Sequence, residues 1–411
     1  MIEYDATDPR WSSDPIPLFA ELREQNPIHR NSDKVWVLSR HADCLAVLRD
    51  RRSSSDSLNI APEHMPTSLA TERDRDVGVS QVVADPSQDP RPFLFRDPPD
   101  HTRLRGLVSK AFTPRVVSSL TPFIEQRVDQ LLDDCLGRGV IDLQAALCYP
   151  LPVAVICEML GIPESDQELF SGWSEALARG LDPDYLLDDE AIAVRDRAIY
   201  EFAVYFFELM ADRRARPGDD LLSALALAEL EGDRLSEAEL LSTSILLLVA
   251  GHETTVNLLT GSVAALSRDR AAQEQLRGDP GLWRSGIDEL MRVVSPVQLT
   301  GRTILDDLEV AGVTLPKGSF TMLLVAGANR DPLVFDQPDQ LLLSREPNPQ
   351  LGFGFGLHHC LGAPLARLEA RLTLSRLLER SRSIELVGEV DYRPNVVLRG
   401  VTSLPVELVP A

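Results

Sequence analysis

No stretch of this chain stays apolar for the ~20 residues a bilayer-spanning helix needs, so no helical membrane anchor is expected. The start, Met1-Ile2-Glu3-Tyr4-Asp5-Ala6, lacks the charged-then-apolar pattern of a signal peptide, and the expected location is cytoplasmic. Cysteine is scarce: Cys44, Cys135, Cys148, Cys157 and Cys360, with no CxxC pair. That odd, scattered set indicates neither a disulfide framework nor a zinc site. Positive charge is also short. Lys and Arg number 41 against 63 Asp and Glu, a net charge of −22, which argues against nucleic acid or an anionic membrane as partner. Aromatic residues are 6% of the chain, so the core has to be aliphatic. No Gly/Ser tract, low-complexity run or internal repeat breaks residues 100 to 411. A single domain over residues 1–411 is expected despite the length.

What the chain does have is helical periodicity. From about residue 98 onward it dominates, and the expected fold is mainly α with smaller β regions. The longest helix is predicted to start at the capping box Ser236-Glu237-Ala238-Glu239 and run to about Arg268. At 1.5 Å per residue that is about 45 Å, so a mostly apolar helix crosses the core. Another is expected between Asp279-Pro280 and Ser295-Pro296. Val35–Leu38, residues 297–325 and residues 384–409 read as strand-rich. Residues 51–96 read as one long irregular loop, a type that is usually functional.

The most informative stretch is Phe353-Gly354-Phe355-Gly356-Leu357-His358-His359-Cys360-Leu361-Gly362. Its glycines permit tight turns and close approach of the backbone to a flat partner. The run after it, 361–382, reads as a helix with an apolar stripe at Leu361, Leu365, Leu368 and Leu372. A sulfur at a helix start faces free N–H groups, which favour thiolate. A thiolate so placed suits iron, above all haem iron.

The order Phe353, Gly356, His358, Cys360, Gly362 resembles the haem-binding loop of the cytochrome P450 family. The resemblance implies a triangular fold with a long central helix crossing the haem. It implies heme b (iron protoporphyrin IX) as cofactor, with Cys360 as the metal ligand. Phe353, Gly354 and Gly362 would shape the cofactor loop.

Three further elements follow the same family order. Ala250-Gly251-His252-Glu253-Thr254 interrupts the aliphatic run of the long helix. Gly251 costs about 1 kcal/mol relative to alanine there and needs a reason. Small residues at Ala250 and Gly251 would leave room for a ligand, and a Thr254 hydroxyl turned to a carbonyl one turn earlier would loosen the helix. The resemblance makes Ala250 and Gly251 cofactor-facing and assigns Glu253 and Thr254 to proton delivery during oxygen activation. Glu289 and Arg292 share a helical face. With Arg345, the family resemblance makes them a buried set that fixes the loop. It also makes His101, Arg105, Arg302 and His358 partners of the two haem propionates.

Two basic segments stand out from the acidic background. One holds Arg103, Arg105, Lys110 and Arg115; the other holds Arg367, Arg371, Arg376, Arg380 and Arg382 against Glu369 and Glu379. The reading is a monomeric monooxygenase that inserts one oxygen atom from O2 into a C–H bond of an apolar small molecule. Steroids, terpenoids, fatty acids and macrolides would all suit. The pocket-lining regions implied are 60–95, 168–195 with Phe170 and Trp173, Thr243–Thr254, Val294–Leu299 and Val397–Val401. The chain has no flavin or nicotinamide fingerprint, so electrons would come from a separate ferredoxin with its reductase, docking on the basic segments. Two alternatives stay open. A hydrogen-peroxide-driven peroxygenase would turn over with peroxide alone, and a haem-bound ligand carrier would give no product with any reductant.

Overall fold

Short polar side chains mark where the helices begin. Asp188 accepts from the Ala191 amide at 2.7 Å and Asp269 from that of Ala272 at 2.9 Å. Ser236 and Glu239 close the expected capping box in both directions. The computed structural model describes residues 2–70, 91–230 and 232–411. Its main helices are α1 (Pro15–Gln25), α2 (His41–Arg49), α3 (Asp100–Ala111), α4 (Thr121–Cys135), α5 (Pro150–Leu160) and α6 (Gln167–Arg179). They continue with α7 (Asp189–Ala215), α8 (Glu237–Ser267), α9 (Arg270–Gly278), α10 (Trp283–Val294) and α11 (Ala363–Arg380).

The predicted long helix is α8, 31 residues from Glu237 to Ser267. It carries Leu240, Leu241, Leu248, Leu258, Leu259, Val263 and Leu266 into one buried aliphatic cluster that runs from Phe93 to Leu408. α5, α10 and α11 pack around it. Strands are short and peripheral: β1 (Ile28–Arg30), β2 (Trp36–Leu38), β3 (Ser53–Ser54), β4 (Thr300–Ile304) and β5 (Phe320–Leu323) form one sheet in the order β1-β2-β5-β4-β3. In its register Met322 lies between Val37 and Gly301. A C-terminal hairpin joins β6 (Asp391–Tyr392) to β7 (Val401–Ser403). Among the described residues no helix is long and apolar enough to cross a membrane.

Three expectations change. The stretch 51–70 is not irregular throughout: it contributes β3 and short helical turns, while 71–90 of the expected loop lie outside the described residues. The last helix is shorter than expected, Ala363 to Arg380, because Ser381 already starts a strand. Phe170 joins α6 to α7 rather than a ligand. Trp173, Phe202, Tyr205 and Phe206 surround it with ring centroids 5.1 to 5.9 Å away. Trp173 donates to Glu201 of α7 at 2.9 Å.

Candidate active site

Cys360 differs from the other cysteines in being accessible. Cys44, Cys135, Cys148 and Cys157 are buried, whereas Cys360 is exposed at the entrance of α11. Burial pushes the Cys157 thiol up to about 12 and those of Cys44 and Cys148 further still. Surrounding protein raises Cys360 as well. The amides of Gly362 and Ala363 and the charges of Arg105 and Arg367 oppose that rise without cancelling it. Those amides and charges act in favour of the thiolate, and a metal cation at the sulfur would add to them.

The loop before Cys360 is held by its own backbone. Gly354 and Gly356 have φ of +67° and +71°, which a side chain would strain. A Cβ on Gly356 would also sit 2.8 Å from the Leu48 carbonyl oxygen. The Cys360 amide donates to Phe353 O at 2.8 Å, and the Gly354 amide to Leu351 O at 2.8 Å. Phe353 is buried beneath the Arg367 guanidinium, 4.3 Å from its ring centroid. Gly362 is the residue preceding α11, and a Cβ on it would lie 3.9 Å from Cys360 Sγ.

The segment leading into that loop hangs from a buried ionic set. Glu289 pairs with Arg292 at 2.8 Å and with Arg345 at 3.0 Å, and both Glu289 and Arg292 are 0% exposed. Asn348 donates to Glu289 at 3.2 Å, and Leu351 donates to Asn329 Oδ1 at 2.7 Å. Phe335, which sequence reading missed, stacks on both guanidiniums at 5.1 and 5.9 Å.

Four cationic or hydrogen-bonding side chains gather on the other side of the loop. The rings of His101 and His358 lie 4.4 Å apart at a tilt of 53°, and both feel the charge of Arg105. Arg302 is buried on β4, and burial lowers its pKa to about 10, opposed only by Asp97. Asp97 is already engaged by Ser54, Ser55 and Asn59. Burial and the neighbouring Arg302, His101 and Arg105 drive His358 down to about 3. Among the described residues, both ring nitrogens of His101 and Nδ1 of His358 are buried without a partner. Orphaned buried ring nitrogens beside two guanidiniums that have no carboxylate partner among the described residues call for an anionic ligand. Two carboxylates on a flat group whose metal takes a thiolate meet both requirements, so these residues fit haem. Ser55, bonded to His358 Nε2 at 3.1 Å, belongs to the same set and had no sequence signal.

On α8, Ala250 is exposed and Thr254 half-exposed although the helix around them is buried. Thr254 donates to Ala250 O at 2.7 Å, the turn expected of it. Gly251 has a packing reason: a Cβ there would meet Ile156 of α5 at 3.2 Å. Glu253 is 1% exposed and paired with Arg393 at 3.0 Å, an arginine that the sequence reading did not single out. The signal was weak because the two are 140 residues apart. His252 is buried, held by Ser174 and Leu248 O, and burial lowers its pKa. Glu369 of the second basic segment lies on α11. It is 2% exposed, and burial raises its pKa well above the ordinary carboxylate value.

The regions expected to line the pocket meet in part. Val297 bridges Leu398, and the Gln298 amide donates to Val397 O at 2.9 Å. Asp182, in the loop between α6 and α7, accepts from the Val396 and Val397 amides at 3.2 and 3.0 Å. Burial raises Asp182 from 3.8 to about 6. Folding therefore favours its protonated form. That stability is present below the unfolded value and lost as pH rises through the folded one. Asp182→Asn should remove this dependence. The stability gap between wild type and variant should shift by up to about 3 kcal/mol in favour of wild type from pH 7.5 to pH 4, read by denaturant melts. A constant gap would contradict the assignment.

The family model described as Cytochrome P450 matches residues 282–395. Polyketide biosynthesis cytochrome P450 PksS of Bacillus subtilis (strain 168) is 38% identical over 405 residues, 96% of each chain. Its solved structure, from the bacillaene polyketide synthase, aligns with a TM-score of 0.87 over 99% of this chain and 100% of that one. Ligand-free CYP164A2 of Mycobacterium smegmatis is 40% identical with a TM-score of 0.87, covering 98% of each chain. P450BioI, solved in complex with an acyl carrier protein ligated with hexadec-9Z-enoic acid, is 34% identical with a TM-score of 0.86, covering 97% of this chain and 99% of that one. Identity at this level over nearly the full length reaches past shared architecture: the chain belongs to the cytochrome P450 family of haem monooxygenases.

Proposed function

We propose that this chain is a cytoplasmic, monomeric enzyme that oxidises a C–H bond of an aliphatic polyketide- or fatty-acyl-type molecule, with electrons from a separate ferredoxin and its reductase. The observation that carries the oxygen-dependent chemistry is the Glu253–Thr254 pair beside exposed Ala250 in an otherwise buried helix. When bound, the haem would supply oxygen activation, with electron density donated by the Cys360 thiolate. Cys360 would hold the metal, and His101, Arg105, Arg302 and His358 would hold the two carboxylates. Thr254 spends its proton on Ala250 O, which leaves its oxygen as an acceptor. Glu253, buried and paired, is the acid next to it. Peroxide already carries its protons, so this pair argues for O2 over a peroxygenase reaction. The substrate class rests on the names of the relatives and on partly exposed aliphatic residues at Leu247, Val297 and Val397. A Soret-shift screen of fatty acids, polyketides, macrolides and steroids tests it; a steroid-only response would overturn the acyl reading.

Thr254→Ala should separate electron use from product. Proton delivery by a positioned group contributes roughly 10²–10⁴-fold. Peroxide release should therefore rise at the expense of product while ligand-induced Soret shifts persist. Wild-type coupling in the variant would remove Thr254 from the reaction.

The ferredoxin surface is narrower than the sequence suggested. Arg103 is paired with Asp233 and Glu239, and Arg367 with Asp288. Arg380 pairs with Asp133 of α4 at 2.5 Å. Arg115 and Arg371 are exposed and have no ion pair among the described residues. Arg115→Glu and Arg371→Glu should slow reduction by an acidic ferredoxin at low salt by about tenfold and lose the effect at 1 M, where the Debye length is ~3 Å. Unchanged low-salt rates in stopped flow would place the docking face elsewhere.

A further inference from the structure

The hairpin β6–β7 sits on the central helix at two points. At its base Arg393 reaches Glu253, donating from Nη1 to Oε1 at 3.0 Å. One helical turn on, Gly400 meets Asn257 so closely that a Cβ on it would lie 2.5 Å from Asn257 Oδ1. Arg393 and Gly400 are themselves joined across the hairpin, the Arg393 amide donating to Gly400 O at 3.0 Å. The far end is held as well, by Asp182 on the Val396 and Val397 amides and by the Gln298 amide on Val397 O. An arginine on an arm anchored at both ends has little freedom to leave its partner.

Glu253 is 1% exposed and its two oxygens are not equivalent. Oε1 takes the Arg393 contact, whereas Oε2 is buried with no partner among the described residues. His252 cannot neutralise it, since burial lowers its pKa and it is bonded to Ser174. The Tyr149 phenol, whose pKa burial and then Glu253 raise, donates to Ser171 O and is no counter-ion. Arg393 is the one cation in contact with this carboxylate among the described residues.

We infer that Arg393 is a positioning residue for the oxygen reaction, fixing Glu253 through Oε1 and leaving Oε2 as the acceptor of the carboxylate. This rests on the role given above to Glu253. A buried carboxylate stripped of the one cation that contacts it takes up a proton rather than stay charged in place.

The test is difference infrared spectroscopy of the haem-loaded protein at neutral pH, in wild type, Arg393→Ala, Arg393→Lys and the double variant Arg393→Ala/Glu253→Gln. Arg393→Ala should gain a protonated-carboxyl stretch that wild type lacks. The double variant should lose that band, which assigns it to Glu253. Arg393→Lys, which keeps a charge on the same arm, should resemble wild type. No new band in Arg393→Ala, or the same band in the lysine variant, overturns the inference. A band that survives in the double variant belongs to another carboxyl and overturns it too. The band reports on the pair whether or not Glu253 carries protons in turnover. That earlier reading falls separately if Glu253→Gln keeps wild-type product per electron pair.

Discussion

Arg292→Ala is expected to yield a protein that neither retains haem nor melts cooperatively near the wild-type temperature. The five N–H groups of this guanidinium meet five acceptors. Nε and Nη2 reach Glu289 at 2.8 Å each, and Nη2 also reaches Gln340 O at 3.1 Å. Nη1 reaches Asn329 O at 2.9 Å and Pro338 O at 2.7 Å. Truncation leaves the Glu289 charge buried with Arg345 alone, and breaking a buried pair this way costs about 3–5 kcal/mol. Each carbonyl left without a donor adds about 1–3 kcal/mol. Against a total stability of about 5–15 kcal/mol, that is most of the fold's margin. Lysine should not rescue it, because an ammonium cannot serve two carboxylate oxygens and three carbonyls from one plane. The cofactor is lost with the fold because the same set holds Asn348 and, through Asn329, Leu351 at the entry to the Cys360 loop. Burial pushes Glu289 up, but Arg292, Leu342 and Arg345 outweigh it, and its pKa lies below the ordinary 4.5. The contribution is therefore present above about pH 4.5 and lost only as pH falls through the lower folded value. A variant with wild-type thermal midpoint and haem content would refute this account of the ionic set.

The sequence disclosed what lies close together along the chain. The capping box of α8, the proline-bounded α10, the Cys360 loop with its glycines and the Glu289–Arg292 spacing are all local, and local chemistry determines them. What stayed hidden depends on contacts across the chain. Arg393 meets Glu253 across 140 residues, and Asp182 meets Val397 across 215. The burial of Glu369 was hidden because spacing along α11 does not say which neighbours cover a face. Arg103 looked available to a partner because Asp233 and Glu239 are remote in sequence. Gly251 looked like room for a ligand, although Ile156 on α5 gives glycine at that site a packing reason.

The second large effect belongs to Cys360. Among the five cysteines it is the exposed one, at the start of α11, with the Gly362 and Ala363 amides directed to its sulfur. The other four lie in aliphatic surroundings whose burial keeps them as inert thiols. Serine at 360 is nearly isosteric and keeps the backbone bond from residue 360 to Phe353 O, so the loop should survive. A hydroxyl is a far poorer ligand for iron than a thiolate, so the electronic signature should not survive. The deciding measurement is the reduced carbon monoxide difference spectrum of wild type and Cys360→Ser, each loaded with haem. Wild type should show the strongly red-shifted Soret band of thiolate ligation and the variant should lose it while still binding haem. The same red-shifted band in Cys360→Ser would contradict the assignment of Cys360 as the metal ligand.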